Sequence, residues 1–137
     1  MHEEKIVGTI ILGSLKGNAQ GLGKDIVAAT LRAAGFRVVD LGVDVSPERF
    51  VDAVVQEKAK IIGISISVNE TVPFLRDVVN NLKQRKLRNK VRIVVGGQTV
   101  SEQTCKEYEV DAYARDAEDC VKKVRRLLKL QETKQKT

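Results

Sequence analysis

Ile6-Val7-Gly8-Thr9-Ile10-Ile11-Leu12-Gly13 runs into Ser14-Leu15-Lys16-Gly17-Asn18-Ala19-Gln20-Gly21, and then into Leu22-Gly23-Lys24-Asp25-Ile26-Val27-Ala28-Ala29-Thr30-Leu31-Arg32-Ala33-Ala34-Gly35. The first piece is apolar, β-branched and short, which predicts a buried strand from Ile6 to Leu12. The last spaces Leu22, Ile26, Ala29 and Ala33 on one helical face and halts at Gly35, a C-terminal stop signal. Strand, glycine-bearing loop and helix together make the opening of a βα unit.

The same alternation continues to the end of the chain. Strands are expected at Phe36 to Leu41, Ile61 to Ile66, Val91 to Val95 and Val110 to Ala114. Between them, Ser46-Pro47 opens a helix with serine as N-cap and proline at the first helical position, burying Phe50, Val51, Val54 and Val55. Thr71 to Leu82 aligns Leu75, Val78, Val79 and Leu82, while Ser101 to Tyr108 is a shorter helix. Asp116 to Leu130 turns Val121, Val124, Leu127 and Leu128 inward. Near-continuous apolar strands, each followed by a helix, predict an α/β fold with a parallel sheet covered on both faces. Right-handed crossovers make it flavodoxin-like and doubly wound, with five strands in the order 2-1-3-4-5. Residues 1–130 form one domain and 131–137 a polar C-terminal tail. Ligands in such sheets bind beyond the carboxyl ends of the strands, at the switch between the first and third.

A chain of 137 residues, 42% hydrophobic, builds a core without disulfides or a structural metal. Cys105 and Cys120 show no C-x-x-C spacing and read as reduced packing thiols. No apolar run reaches the roughly 18 residues of a membrane span, and a cytoplasmic location is expected. The net charge of +6 concentrates in Lys83–Arg92 and Lys122–Lys129. Neither stretch holds an aromatic residue to stack on bases, so solvated helix ends are expected rather than a nucleic-acid footprint.

The long loop after the first strand invites a phosphate-binding reading, which fails. A P-loop would need glycine at Asn18 and serine or threonine at Asp25, and the dinucleotide fingerprint would need a third glycine at Ile26. The lone histidine, His2, leaves no Ser-His-Asp set and no His/Cys metal cluster. Lys24 reads as a first-turn surface lysine, and Asp40 and Asp44 as residues framing the exit of the second strand.

Lys16-Gly17-Asn18-Ala19-Gln20-Gly21-Leu22-Gly23-Lys24 resembles the D-x-H-x-x-G loop of cobalamin-binding domains. Such domains occur in methionine synthase, corrinoid methyltransferase proteins and the small subunits of glutamate-mutase-type enzymes. Val38 to Val45, Gly63-Ile64-Ser65-Ile66-Ser67, Val94-Val95-Gly96-Gly97 and Asp111 to Ala117 resemble the family's other loops, so the likeness runs from Ile6 to about Leu128. The resemblance implies that the loop, with Gly21, Leu22 and Gly23, meets the corrin. It further implies that Ser65, Ser67, Gly96, Gly97 and Tyr113 line a cleft for the benzimidazole tail, and Asn69 is a candidate hydrogen-bonding partner. A bulky residue at Gly97 is expected to fill that cleft and spare the fold.

The departure is equally specific. The aspartate position is Asn18 and the cobalt-ligand histidine position is Gln20. Losing the histidine alone would have left an unpaired carboxylate, and Asn18 removes that charge. The resemblance therefore implies a carrier holding cobalamin base-off, with no metal ligand from the protein. It would serve a partner methyltransferase, as a larger catalytic or capping subunit or through a homo-oligomer. The first strand is expected to start within a few residues of Met1, and that expectation likens the chain to the small cobalamin-binding subunit of a glutamate-mutase-type enzyme, one alternative function. A degenerate domain that has lost cobalamin is the alternative of a different class.

Overall fold

The computed structural model describes residues 7–17 and 22–136, with side chains from 23 to 129 in the second segment. Its strands are β1 (Thr9–Ser14), β2 (Arg37–Asp40), β3 (Ile61–Ser65), β4 (Arg92–Gly96) and β5 (Ala112–Ala114). Its helices are α1 (Leu22–Ala33), α2 (Pro47–Glu57), α3 (Phe74–Gln84), α4 (Glu102–Tyr108) and α5 (Ala117–Lys136). The strands form one parallel sheet in the order β2-β1-β3-β4-β5, the doubly wound arrangement expected from the sequence. Among the described residues no helix is long and apolar enough to cross a membrane.

Strand parity sorts the side chains into two cores. Ile11, Ile62 and Ile93 pack under Phe50, Leu75 and Leu82 from α2 and α3. Ile10, Ile61 and Val94 face the other way, against Leu31 of α1 and Val124 and Leu127 of α5. The sheet is thus covered by α2, α3 and α4 on one face and by α1 and α5 on the other.

Several boundaries moved for physical reasons. β1 continues past Leu12 because Gly13 and Ser14 still find partners in Ile64 and Ser65 of β3. Ser46 Oγ accepts the Arg49 N–H at 3.1 Å, the expected cap of α2. Val55, however, is 53% exposed, one position round from the face that buries Val51 and Val54. α3 starts at Phe74 rather than Thr71, since a 3₁₀ turn, Asn69–Thr71, and then Pro73 occupy the intervening positions. The backbone of α5 is helical to Lys136, through the stretch read as a polar tail.

The face chosen for α1 needs correction. Ala28 and Leu31 are buried, whereas Ile26 is 54% exposed and Ala29 and Ala33 also face out. This helix is apolar around most of its circumference, so its period admits two faces, and packing on α5 selects one. In the first basic stretch, Lys83, Arg85, Arg88 and Arg92 are paired with Glu109, Asp52 and Asp111.

Candidate functional site

The chain leaves β1 for β2 on one side, and β3 lies on the other, so loops part above the carboxyl end of β1. Register then decides what lies beneath that parting. Two rows cross the sheet on the α1/α5 face: Leu12, Gly63, Val94 and Ala112, then Ser14, Ser65, Gly96 and Ala114. The outer row carries only small side chains, and the inner row is interrupted by Gly63. From these rows Leu12, Gly63, Val94, Ser65, Gly96 and Ala114 floor a cleft of about 300 Å³, walled by Gly23, Lys24, Ile26 and Val27 of α1 and by Ala117 and Cys120 of α5.

Glycines shape the cleft in two different ways. A Cβ on Gly23 would meet no atom within 4 Å, so this position opens into free space. Gly97 has φ +129, and a Cβ there would stand 1.7 Å from the Ile66 carbonyl oxygen. The expectation that a bulky residue at Gly97 spares the fold is therefore wrong, because main chain already fills that space.

Lys24 is not a surface lysine. Only 4% of its side chain is exposed, and its ammonium lies 2.6 Å from Asp40 Oδ2 and 2.7 Å from Asp25 Oδ1. Burial alone would lower the Lys24 pKa, but the hydrogen bonds to Asp25 and Asp40 outweigh it and hold the pKa above its ordinary value. For Asp40, burial pushes upward, yet the hydrogen bonds from Lys24 and from the Gly42 N–H keep its carboxyl below the usual range. The pair ties the first turn of α1 to the end of β2. Asp44 accepts the Gly17 N–H at 2.8 Å, so both aspartates do frame the exit of β2 and brace its neighbours.

On the far wall, Asp119 Oδ2 accepts the Arg115 N–H at 3.0 Å, and Asp116 Oδ1 accepts the Asp119 N–H at 2.8 Å. The Arg115 hydrogen bond holds the Asp119 carboxyl below its ordinary range. These bonds fix the turn from β5 into α5. Burial pushes the thiols of Cys105 and Cys120 up to about 11, which keeps both neutral near pH 7.

Of the residues expected from the sequence, Gly23, Ser65, Gly96 and Gly97 come together as cleft lining. Leu22 is the first residue of α1, beside Gly23. Ser67 and Asn69 follow β3 and are not part of the lining, Asn69 standing exposed at the start of the 3₁₀ turn. Tyr113 is a correction: its side chain packs with the α2/α3/α4 layer, and parity gives its place in the cleft to Ala114. Asn18, Gln20 and Gly21 lie outside the described residues. Sequence reasoning missed Gly63, Val94 and Ala114, which two-residue steps from Ser65, Gly96 and Ala112 would have found. Lys24 and Cys120 carried no such signal.

A half-open, largely apolar cleft with a glycine-relieved floor suits a flat aromatic group entering edge-on from the strand ends. The charged groups on its walls are engaged with one another or stand at the mouth.

Comparison with known proteins agrees with this geometry. The profile described as B12 binding domain matches residues 8–125. Dimethylamine corrinoid protein 3 of Methanosarcina mazei is 35% identical over 122 residues, covering 89% of this chain and 73% of that protein. A cobalamin-binding protein from Desulfitobacterium hafniense DCB-2 superposes with a TM-score of 0.84 at 33% identity, over 87% of this chain and 58% of its own. The methanol:cobalamin methyltransferase complex of Methanosarcina barkeri gives a TM-score of 0.84 at 28% identity, over 94% of this chain and 52% of the matched one. The chain thus spans little more than half the length of the two matched structures.

Proposed function

This chain belongs to the B12-binding domain family, and on that premise we propose that it is a corrinoid carrier that holds cobalamin base-off for a partner methyltransferase. The observation that carries the proposal is the cleft at the switch point, where the register row of Ser65, Gly96 and Ala114 leaves room beneath α1 and α5. The nucleotide tail would lie there, with Gly23 at the α1 wall and Ser65 and Gly96 on the floor.

When bound, the corrinoid supplies a cobalt able to accept and give a methyl group. The protein's own part is to bind the tail, to exclude water from it and to orient the ring toward a partner. With Gln20 and Asn18 in the loop positions, no protein nitrogen is expected below the metal. A corrinoid held in this way would leave its ring open to a partner, which calls for a larger catalytic or capping subunit, or a second copy. Relatives named as corrinoid proteins and the methyltransferase complex support this reading over a mutase role.

Loss of both members of the usual aspartate–histidine pair favours one other reading, a module of this fold that no longer takes cobalamin. Reconstitution with hydroxocobalamin, then desalting and an absorption spectrum, separates the two. A corrin band that travels with the protein supports the carrier; protein eluting without it leaves only the module.

A further inference from the structure

We infer that the inner end of the cleft selects a corrinoid whose lower base is an apolar aromatic ring, against one carrying a purine. The inference rests on the corrinoid reading above and goes on to specify the ligand. The inner wall is made by Leu12, Gly63, Val94 and Cys120, of which Leu12, Val94 and Cys120 are 3%, 2% and 5% exposed. Main-chain groups at this depth are committed to the parallel ladders between β1, β3, β4 and β5.

The charged groups around the cleft are placed elsewhere or already engaged. Lys24 is held by Asp25 and Asp40, and Asp116 Oδ1 accepts the Asp119 N–H. The Arg115 side chain is 72% exposed, at the mouth. Cys120 offers only a neutral thiol, a weak donor. The hydroxyl of Ser65 belongs to the outer row, beside Gly96.

Dimethylbenzimidazole brings one free ring nitrogen and two methyl groups to such a wall. Adenine brings an amino group and three ring nitrogens, each of which must leave water. A buried polar group left without a partner costs about 1–3 kcal/mol, so even one unmatched group weakens binding about fivefold or more. The methyl groups, by contrast, gain from burial.

The test uses the wild-type protein, titrated separately with hydroxocobalamin and with the cobamide bearing adenine in place of dimethylbenzimidazole. Retention after desalting is read against concentration. We expect cobalamin to be retained at least about fivefold more tightly, and Cys120→Ser, which adds a hydroxyl to the inner wall, to narrow that ratio. A smaller difference in wild type, or an unchanged ratio in Cys120→Ser, overturns the inference. Retention of neither cobamide instead sinks the corrinoid reading itself.

Discussion

Lys24 and Asp40 meet at 2.6 Å at the point where the first turn of α1 passes the end of β2, with the lysine side chain almost wholly enclosed. The contact joins the wall of the cleft to the edge of the sheet. Asp40→Asn leaves a buried ammonium with one exposed partner, Asp25, and is expected to destabilise the fold by about 1–2 kcal/mol, less than a fully buried pair because Asp40 is 24% exposed. The sign of the pH dependence follows from the shifts. The lowered Asp40 pKa gives stability that is present above the ordinary value of 3.8 and lost as pH falls through the folded value. The raised Lys24 pKa gives stability present below 10.5 and lost as pH rises through the folded value. Urea titrations from pH 7 down to pH 3 should show the gap between wild type and Asp40→Asn closing. A gap that stays constant would mean the ion pair does not act as described.

Gly23 offers a way to close the cleft without disturbing the fold. Its Cβ direction is empty, and its backbone is helical. Gly23→Ala should stabilise the protein by a few tenths to about 1 kcal/mol through helix propensity and reduced unfolded-state freedom. Gly23→Leu should keep its thermal midpoint within a few degrees yet lose at least tenfold in cobalamin retention. Normal retention in a folded Gly23→Leu protein would place the tail elsewhere.

Gly97 behaves oppositely. With φ +129 and the Ile66 oxygen in the path of any Cβ, Gly97→Ala must shift the β4 exit. A loss of about 3 kcal/mol or more is expected, visible as a lowered urea midpoint before any ligand is added. A Gly97→Ala protein as stable as wild type is incompatible with this backbone.

The loop pair is tested by restoring the family's residues. In wild type loaded with cobalamin and reduced to Co(II), the EPR spectrum should lack nitrogen superhyperfine splitting from below. Gln20→His with Asn18→Asp supplies an imidazole and a carboxylate to orient it, and should introduce that splitting. Splitting already present in wild type would overturn the account of Gln20.

How much of this could be read in advance differs from element to element. Leu75, Val78, Val79 and Leu82 lie on one stripe of α3, and all four are buried as their spacing demands. In α1 the same reasoning picked Ile26, Ala29 and Ala33, all of which face outward. The difference lies in composition: α3 is polar on its other faces, whereas α1 gives two apolar options. Among site residues, Gly23, Ser65, Gly96 and Gly97 were legible through their motifs. Tyr113 was misplaced because a loop motif carries no parity until the strand's register is known.

The chain by itself determined the order of strands and helices, the doubly wound sheet and the loops that gather at its carboxyl edge. Those follow from local periods of two and 3.6 residues and from the handedness of crossovers, all of which act within short stretches. Tertiary structure alone decided that Ser14, Ser65, Gly96 and Ala114 form one row, that Lys24 is buried against Asp40, and that Cys120 backs the cleft. Each of these depends on the alignment of segments tens of residues apart, and a shift of one residue in any strand would turn a different side chain toward the cleft.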